Sequence, residues 1–276
     1  MKRSIAKLLA ALVALAAGVP AAAQNGELVF GVYPYLTPTQ IVDQFAPLRE
    51  HVAKALGRPV TMVSAPDFAA FIERTRKGEY DLIFTAPHMG RLAEQRDGYQ
   101  RVAQTGYRIA VVVLARRDGP VKSLDALRDR SIAIGSRSSM TYQIVAQALK
   151  KQGLALEKDV RLVETPSFSN VLQAVVRGEA AAGGTGTLLW DVATIEQREA
   201  LRVVFQAPPV PGFLVMAHPR LGTAQIGRLQ QALPDFKQTP AGVDYFQRTQ
   251  QVDFRPIDDA TMKLIDPFVA VLTQPH

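Results

Sequence analysis

No cysteine occurs in the 276 residues. That excludes disulfide staples, thiolate metal sites, iron–sulfur ligation, a cysteine nucleophile and a lipid anchor carried on sulfur. Histidine is scarce too. His51, His88, His218 and His276 are all there are, and no two stand at metal-ligand spacing. No metal site is expected. No cofactor is expected either, since Gly184-Thr-Gly186 lacks the third glycine of a dinucleotide fingerprint. A G-x-S-x-G elbow, a Walker loop and an H-E-x-x-H helix are all missing, so the chain reads as a binding protein and not an enzyme. Basic residues run no further than the pairs Arg116-Arg117 and Lys150-Lys151, without interleaved aromatics, which argues against nucleic acid as a partner.

What is present is ordinary globular material, with 47% hydrophobic and 21% charged residues, which rules out disorder. The N-terminus is the exception. Lys2, Arg3 and Lys7 precede an apolar run, Leu8–Val19, then Pro20 and the small residues Ala21-Ala22-Ala23. This is the layout of a secretory signal peptide over residues 1–23, with cleavage expected before Gln24. The run falls short of the roughly 20 residues a membrane span needs, and no later segment reaches that length. Cleavage removes three cations and no anion, lowering the net charge from +7 to +4. That mild positive balance suits a small anionic solute.

After the leader, short apolar runs alternate with amphipathic stretches. Leu28–Tyr33, Pro59–Ser64, Asp81–Thr85, Gln100–Thr105 and Arg108–Ala115 read as strands, with helices over 41–56, 68–77 and 88–95 between them. The polar break Arg116-Arg117-Asp118-Gly119-Pro120 is followed by a second alternation. It has strands at Ser131–Ile134, Val160–Glu164, Ala180–Gly183 and Arg202–Gln206, and helices over 142–151, 171–177 and 188–198. A second break, Ala207-Pro-Pro-Val-Pro-Gly212, precedes a strand Phe213–Ala217 and a helical tail over 224–232, 241–248 and 262–273. Alternation of this kind predicts an α/β fold with parallel sheets. The two breaks predict a discontinuous first lobe, 24–117 plus 210–276, and an inserted second lobe, 118–209, joined by two crossover strands around a hinge.

Small hydroxyl residues recur where strands give way to helices. They stand at Thr37-Pro38-Thr39-Gln40, at Thr85-Ala86-Pro87-His88, at Gly135–Thr141, at Ser167-Phe168-Ser169-Asn170 and at Gly183–Thr187. In an open α/β sheet these turns lie at the carboxyl ends of strands, where ligands bind. Free N–H groups and the positive end of the helix dipole attract an oxyanion there, and hydroxyls add neutral donors. Any helix uses such residues as caps. The cluster of Ser136, Ser138, Ser139 and Thr141 exceeds what one cap needs, with four hydroxyls in six residues. The expected binding set is therefore Ser136, Ser138, Ser139, Thr141 and Tyr142 from the inserted lobe, with Ser167. Tyr33, Thr37, Thr85 and His88 join it from the other lobe. Tyr35, Tyr107 and Trp190 read as core, and Arg137 as a solvated loop cation.

Four segments in this order, Gly31-Val-Tyr-Pro34, Lys77-Gly-Glu-Tyr-Asp81, Ala133–Tyr142 and Val175-Val-Arg-Gly-Glu179, resemble the phosphate/phosphite/phosphonate-binding proteins of ABC importers. The resemblance implies a type II periplasmic-binding-protein (Venus flytrap) fold, no enzymatic activity, a periplasmic location and delivery of an oxyanion by a monomer to a membrane permease. It places the family's hydroxyl-rich anion motif on Ser138 and Ser139, with Tyr142 just beyond. It also implies departures: Met140 for a hydroxyl, Thr85 for an aromatic, Phe168 for a histidine, and Ala181 for the acid that would meet an amine. Two alternatives stay open on the residues alone: a sensing module that feeds a kinase, and a clamshell for some other organic solute.

Overall fold

The computed structural model describes residues 26–165, 168–191, 193–269 and 272, so the expected leader and Ser167 lie outside the described residues. In the first lobe the strands are β1 (Leu28–Val32), β2 (Val60–Val63), β3 (Leu82–Thr85) and β4 (Gln100–Thr105). In the second they are β5 (Val111–Arg116), β6 (Ser131–Ile134), β7 (Arg161–Glu164), β8 (Ala182–Gly186) and β9 (Leu201–Gln206). The chain then returns to the first lobe for β10 (Leu214–Ala217) and a short β11 (Phe254–Arg255) that the sequence pattern does not announce. The helices are α1 (Pro38–Leu56), α2 (Phe68–Arg76), α3 (Pro87–Asp97), α4 (Met140–Lys151), α5 (Phe168–Val176), α6 (Thr187–Asp191), α7 (Ile195–Ala200), α8 (Gly222–Asp235), α9 (Pro240–Thr249) and α10 (Asp259–Ile265).

Two sheets result, in the orders β11-β4-β10-β3-β1-β2 and β7-β6-β8-β5-β9. The pairs β1·β2, β1·β3, β6·β7 and β6·β8 are parallel. The returning strand β10 is antiparallel to β3 and β4, and β5 is antiparallel to β8 and β9, so both sheets are mixed and not parallel throughout. The reason is connectivity: a strand entering from the other lobe arrives at the end where the parallel strands finish.

One expected boundary moves. β5 belongs to the second sheet, between β8 and β9, and not to the first lobe that was expected to run to residue 117. Its run Val111-Val-Val-Leu-Ala115 is wholly buried, and only a strand flanked on both sides hides such a run. The polar break after it is a tight turn, with the Gly119 N–H donating to the Arg116 carbonyl at 3.2 Å. The crossovers lie instead at 106–110 and 207–213, and Ile109 and Val210 bridge them through paired backbone bonds of 3.0 and 2.8 Å.

Local signals place the helices well. Thr37 caps α1 in a full capping box with Gln40, Pro38 opens the helix, and Gly57 closes it in the left-handed conformation. The expected single helix over 188–198 divides in two, because Thr194 with Gln197 builds a second capping box that starts α7 afresh. The Gly183-Gly184 pair lies inside β8 and not in an anion-binding loop. A Cβ on Gly183 would come within 2.7 Å of Val171, and one on Gly184 within 3.0 Å of Val145. These glycines let α5 and α4 press onto opposite faces of the central strand. Among the described residues no helix is long and apolar enough to cross a membrane.

Candidate functional site

The carboxyl ends of β1, β3, β6 and β8 face a common space between the lobes. A cavity of about 330 Å³ lies there, walled by residues of both lobes and floored by Tyr107, Ile109 and Phe213 of the crossovers. Its walls come from the turns after β1 and β3, the first turn of α4, the start of α5, the β8–α6 junction and the end of α9.

Tyr33, His88, Ser139 and Thr141 line this cavity. Tyr33 is buried, stacks on Tyr35 at 4.7 Å, and its phenol is held well above its usual range by that burial. Ser139 is the N-cap of α4: its hydroxyl accepts from the Tyr142 N–H at 3.1 Å and donates to the Ser136 carbonyl at 2.6 Å. Ser139→Ala is expected to cost about 1 kcal/mol of stability with no ligand present, read as a lower urea midpoint; an unchanged midpoint would refute the capping role. The Thr141 hydroxyl, in contrast, has no hydrogen-bond partner among the described residues, so it is available to a guest.

The other expected residues stand elsewhere. Thr37 is exposed, with its hydroxyl tied to Gln40 in the capping box. Thr85 is buried outside the cavity, with its methyl against Gly90 of α3, and its hydroxyl has no partner among the described residues. Ser136 accepts from the Ser138 N–H at 3.2 Å, so the cluster spends several of its groups on its own turn. Tyr142 points away, donating to Glu157 at 2.7 Å beside an Arg137–Glu157 ion pair of 2.6 Å. Burial, then the Glu157 contact, pushes the Tyr142 phenol up to about 12. Arg137 is thus bound to Glu157 and Glu164 and is not a solvated cation. Ala181 sits ahead of β8, at the end away from the cavity, so its lack of a carboxylate says nothing about an amine in the site.

His88 joins the lobes. Its Nε2 lies 2.9 Å from the Ser138 carbonyl, which can only accept, so Nε2 carries the proton. Nδ1 is then a bare lone pair, buried without a partner. Burial pushes the imidazole down to about 4, against a weaker upward pull from the Ser138 bond, and the ring is neutral at physiological pH.

Sequence reasoning missed the aromatic wall: Tyr35, Phe68, Tyr107, Phe168 and Phe213 all line the cavity. Phe168 and Phe213 had a positional signal, one in a strand-to-helix turn and one beside Gly212 at the second break. Tyr35 and Tyr107 had none that separates a wall from a core.

Two mixed α/β lobes, joined by paired crossovers and closed over one cavity at their strand ends, define a clamshell of the type II periplasmic-binding-protein class. Residues 30–262 match the family model described as "ABC transporter, phosphonate, periplasmic substrate-binding protein", and the chain belongs to that family. The "Phosphonates-binding periplasmic protein" of Escherichia coli is 23% identical over 258 residues, covering 87% of this chain and 75% of the relative. Two solved structures share the fold. XAC2383 from Xanthomonas citri, bound to chloride ion, is 24% identical with a TM-score of 0.77, over 89% of this chain and 97% of that one. PhnD1 from Prochlorococcus marinus, in complex with methylphosphonate, is 15% identical with a TM-score of 0.78, over 89% and 98%. Membership brings a small-solute ligand, a membrane permease as partner, a periplasmic location and the role of a substrate-binding component in transport.

Proposed function

We propose that this chain, exported by its leader and acting as a monomer, binds an organophosphonate in the cavity between its lobes and presents it to an ABC permease. The observation that carries the reading is the first turn of α4. There the first-turn N–H groups of a 12-residue helix and Thr141, whose hydroxyl has no partner among the described residues, face a cavity shared with the first lobe. An anionic head seated there would take N–H and hydroxyl donors in a setting where the helix dipole counts for more than at an open surface. Tyr33 and His88 supply the opposite jaw. The remaining expected residues act indirectly: Ser136, Ser138 and Ser139 shape the turn, Thr37 opens α1, Tyr142 braces α4, and Thr85 packs under α3 at Gly90. The lobes, 26–110 with 211–269 and 111–210, close as two bodies about the Ile109–Val210 bridge, and a ligand that prefers the closed form shifts that equilibrium.

A thermal-shift screen of phosphate, phosphite, phosphonates, sulfonates and carboxylates tests this. At a concentration about 100-fold above Kd, linkage supplies about 2.7 kcal/mol. For a chain of this size that raises Tm by about 5–10 °C. A rise with phosphonates is expected. Stabilisation by carboxylates alone, or by none of these anions, would overturn the reading.

A further inference from the structure

The chemistry of the walls goes beyond the choice of an anion. Six rings line the cavity from both lobes and the crossovers, and they form one connected set. Tyr33 stacks on Tyr35 at 4.7 Å, Tyr35 meets Phe213 at 5.5 Å, and Phe213 lies 6.3 Å from Tyr107. Phe68 touches Tyr33 at 5.7 Å and reaches Phe168 of the other lobe at 6.2 Å. Among the described lining residues there is no aspartate and no glutamate. The charged lining residue is Arg248, whose guanidinium is already held by Asp244 at 2.6 Å and by the Asp43 carbonyl at 3.1 Å. His88 is neutral.

A primary ammonium placed among these rings would therefore be buried without a carboxylate; His88 Nδ1 and Gln251 Oε1 are neutral acceptors in the wall and supply no negative charge to balance it. Aromatic walls do hold quaternary ammonium ions in some sites, but that needs several ring faces turned to one point. Here Tyr33 and Tyr35 cover each other's faces, with planes only 11° apart. A methyl group is too small for the space: about 330 Å³ falls at the lower end of sites that enclose whole organic molecules, roughly 300–1,000 Å³. A flat, uncharged ring fits both demands. It fills the volume and packs offset or edge-on against the exposed faces of Phe68, Phe168 and Phe213.

We propose that the preferred solute carries an uncharged aromatic or similarly flat apolar substituent on its anionic head, and that the site discriminates against amine-bearing phosphonates. This rests on the phosphonate-binding reading and narrows it. Phe168 is the specificity residue, because it brings the second lobe's apolar surface to the first lobe's ring set and closes only with the cleft.

Isothermal titration of the wild-type protein with methylphosphonate, aminoethylphosphonate, phenylphosphonate and phosphocholine tests the inference without any variant. Phenylphosphonate should bind about tenfold or more tighter than methylphosphonate, a gain of about 1.4 kcal/mol. Aminoethylphosphonate should be the weakest of the three phosphonates, and phosphocholine no tighter than methylphosphonate. Phe168→Ala should erase most of the phenyl preference, bringing phenylphosphonate and methylphosphonate to within about threefold of each other, and an undiminished tenfold preference in the variant would overturn the role of Phe168. Tighter binding of aminoethylphosphonate or phosphocholine, or equal binding of the phenyl and methyl compounds, would overturn the specificity while leaving phosphonate binding intact. Failure of all four to bind would overturn the functional reading and this inference together.

Discussion

Acidification from pH 6.5 to 4 will weaken the closed protein by about 3 kcal/mol through His88 alone, one pKa unit being worth about 1.4 kcal/mol. The ring is fully buried, donates through Nε2 to the Ser138 carbonyl, and offers Nδ1 to nothing. Its pKa is about 4 when folded and about 6.5 when exposed, so the group is depressed by folding. Above 6.5 both forms are neutral and stability is flat. Between 6.5 and 4 the unfolded or opened form takes up a proton that the closed form refuses, so stability falls as pH falls. Below 4 both are protonated and this group adds nothing more. No charged side chain contributes to the depression; burial is its main cause. His218 is also lowered by burial, so the measurement is a difference between proteins. Urea unfolding of wild type and His88→Gln across this window should show a steeper acid loss in wild type. Parallel pH profiles would refute the assignment.

Gly212→Ala will destabilise the protein by about 3 kcal/mol or more, at the upper end of overpacking costs. Gly212 is buried in the second crossover, and an added Cβ would collide with the Tyr107 carbonyl of the first and with the Thr105 side chain at the end of β4. Relief requires the crossovers to separate, which breaks the 3.0 Å bond from the Phe213 N–H to the Thr105 hydroxyl. That loss falls on the floor of the cavity, so phosphonate affinity should drop as well. Gly227→Ala is the matched control. Gly227 lies in α8 with nothing near its missing Cβ, and alanine there should stabilise by about 0.5–1 kcal/mol. Urea midpoints that move in the same direction for both variants would refute the steric account.

The opening of α1 by Thr37, Pro38 and Gln40 was legible because these residues lie within a turn of one another, whereas α4 begins at Met140, two residues before the expected start, on the Ser139 cap. The alternation of buried runs and amphipathic helices, and with it the two-lobed α/β class, was legible for the same reason. The sequence also determined that a hydroxyl-rich turn would stand at a strand end, where a helix begins.

Only the tertiary structure decided what those hydroxyls do. Ser139 spends its hydroxyl on its own turn, Ser136 accepts within that turn, Tyr142 turns out to Glu157, and of the cluster's hydroxyl residues only Ser139 and Thr141 line the cavity among the described residues. It also decided that β5 crosses into the second sheet, that His88 reaches Ser138 across the cleft, and that rings from Tyr33 to Phe213 make one wall. A side chain's local partners are written within a few positions of it. Which face it shows to a residue 50 or 180 positions away is set by sheet order and closure, and an aromatic residue buried against a core and one buried against a guest carry the same local pattern.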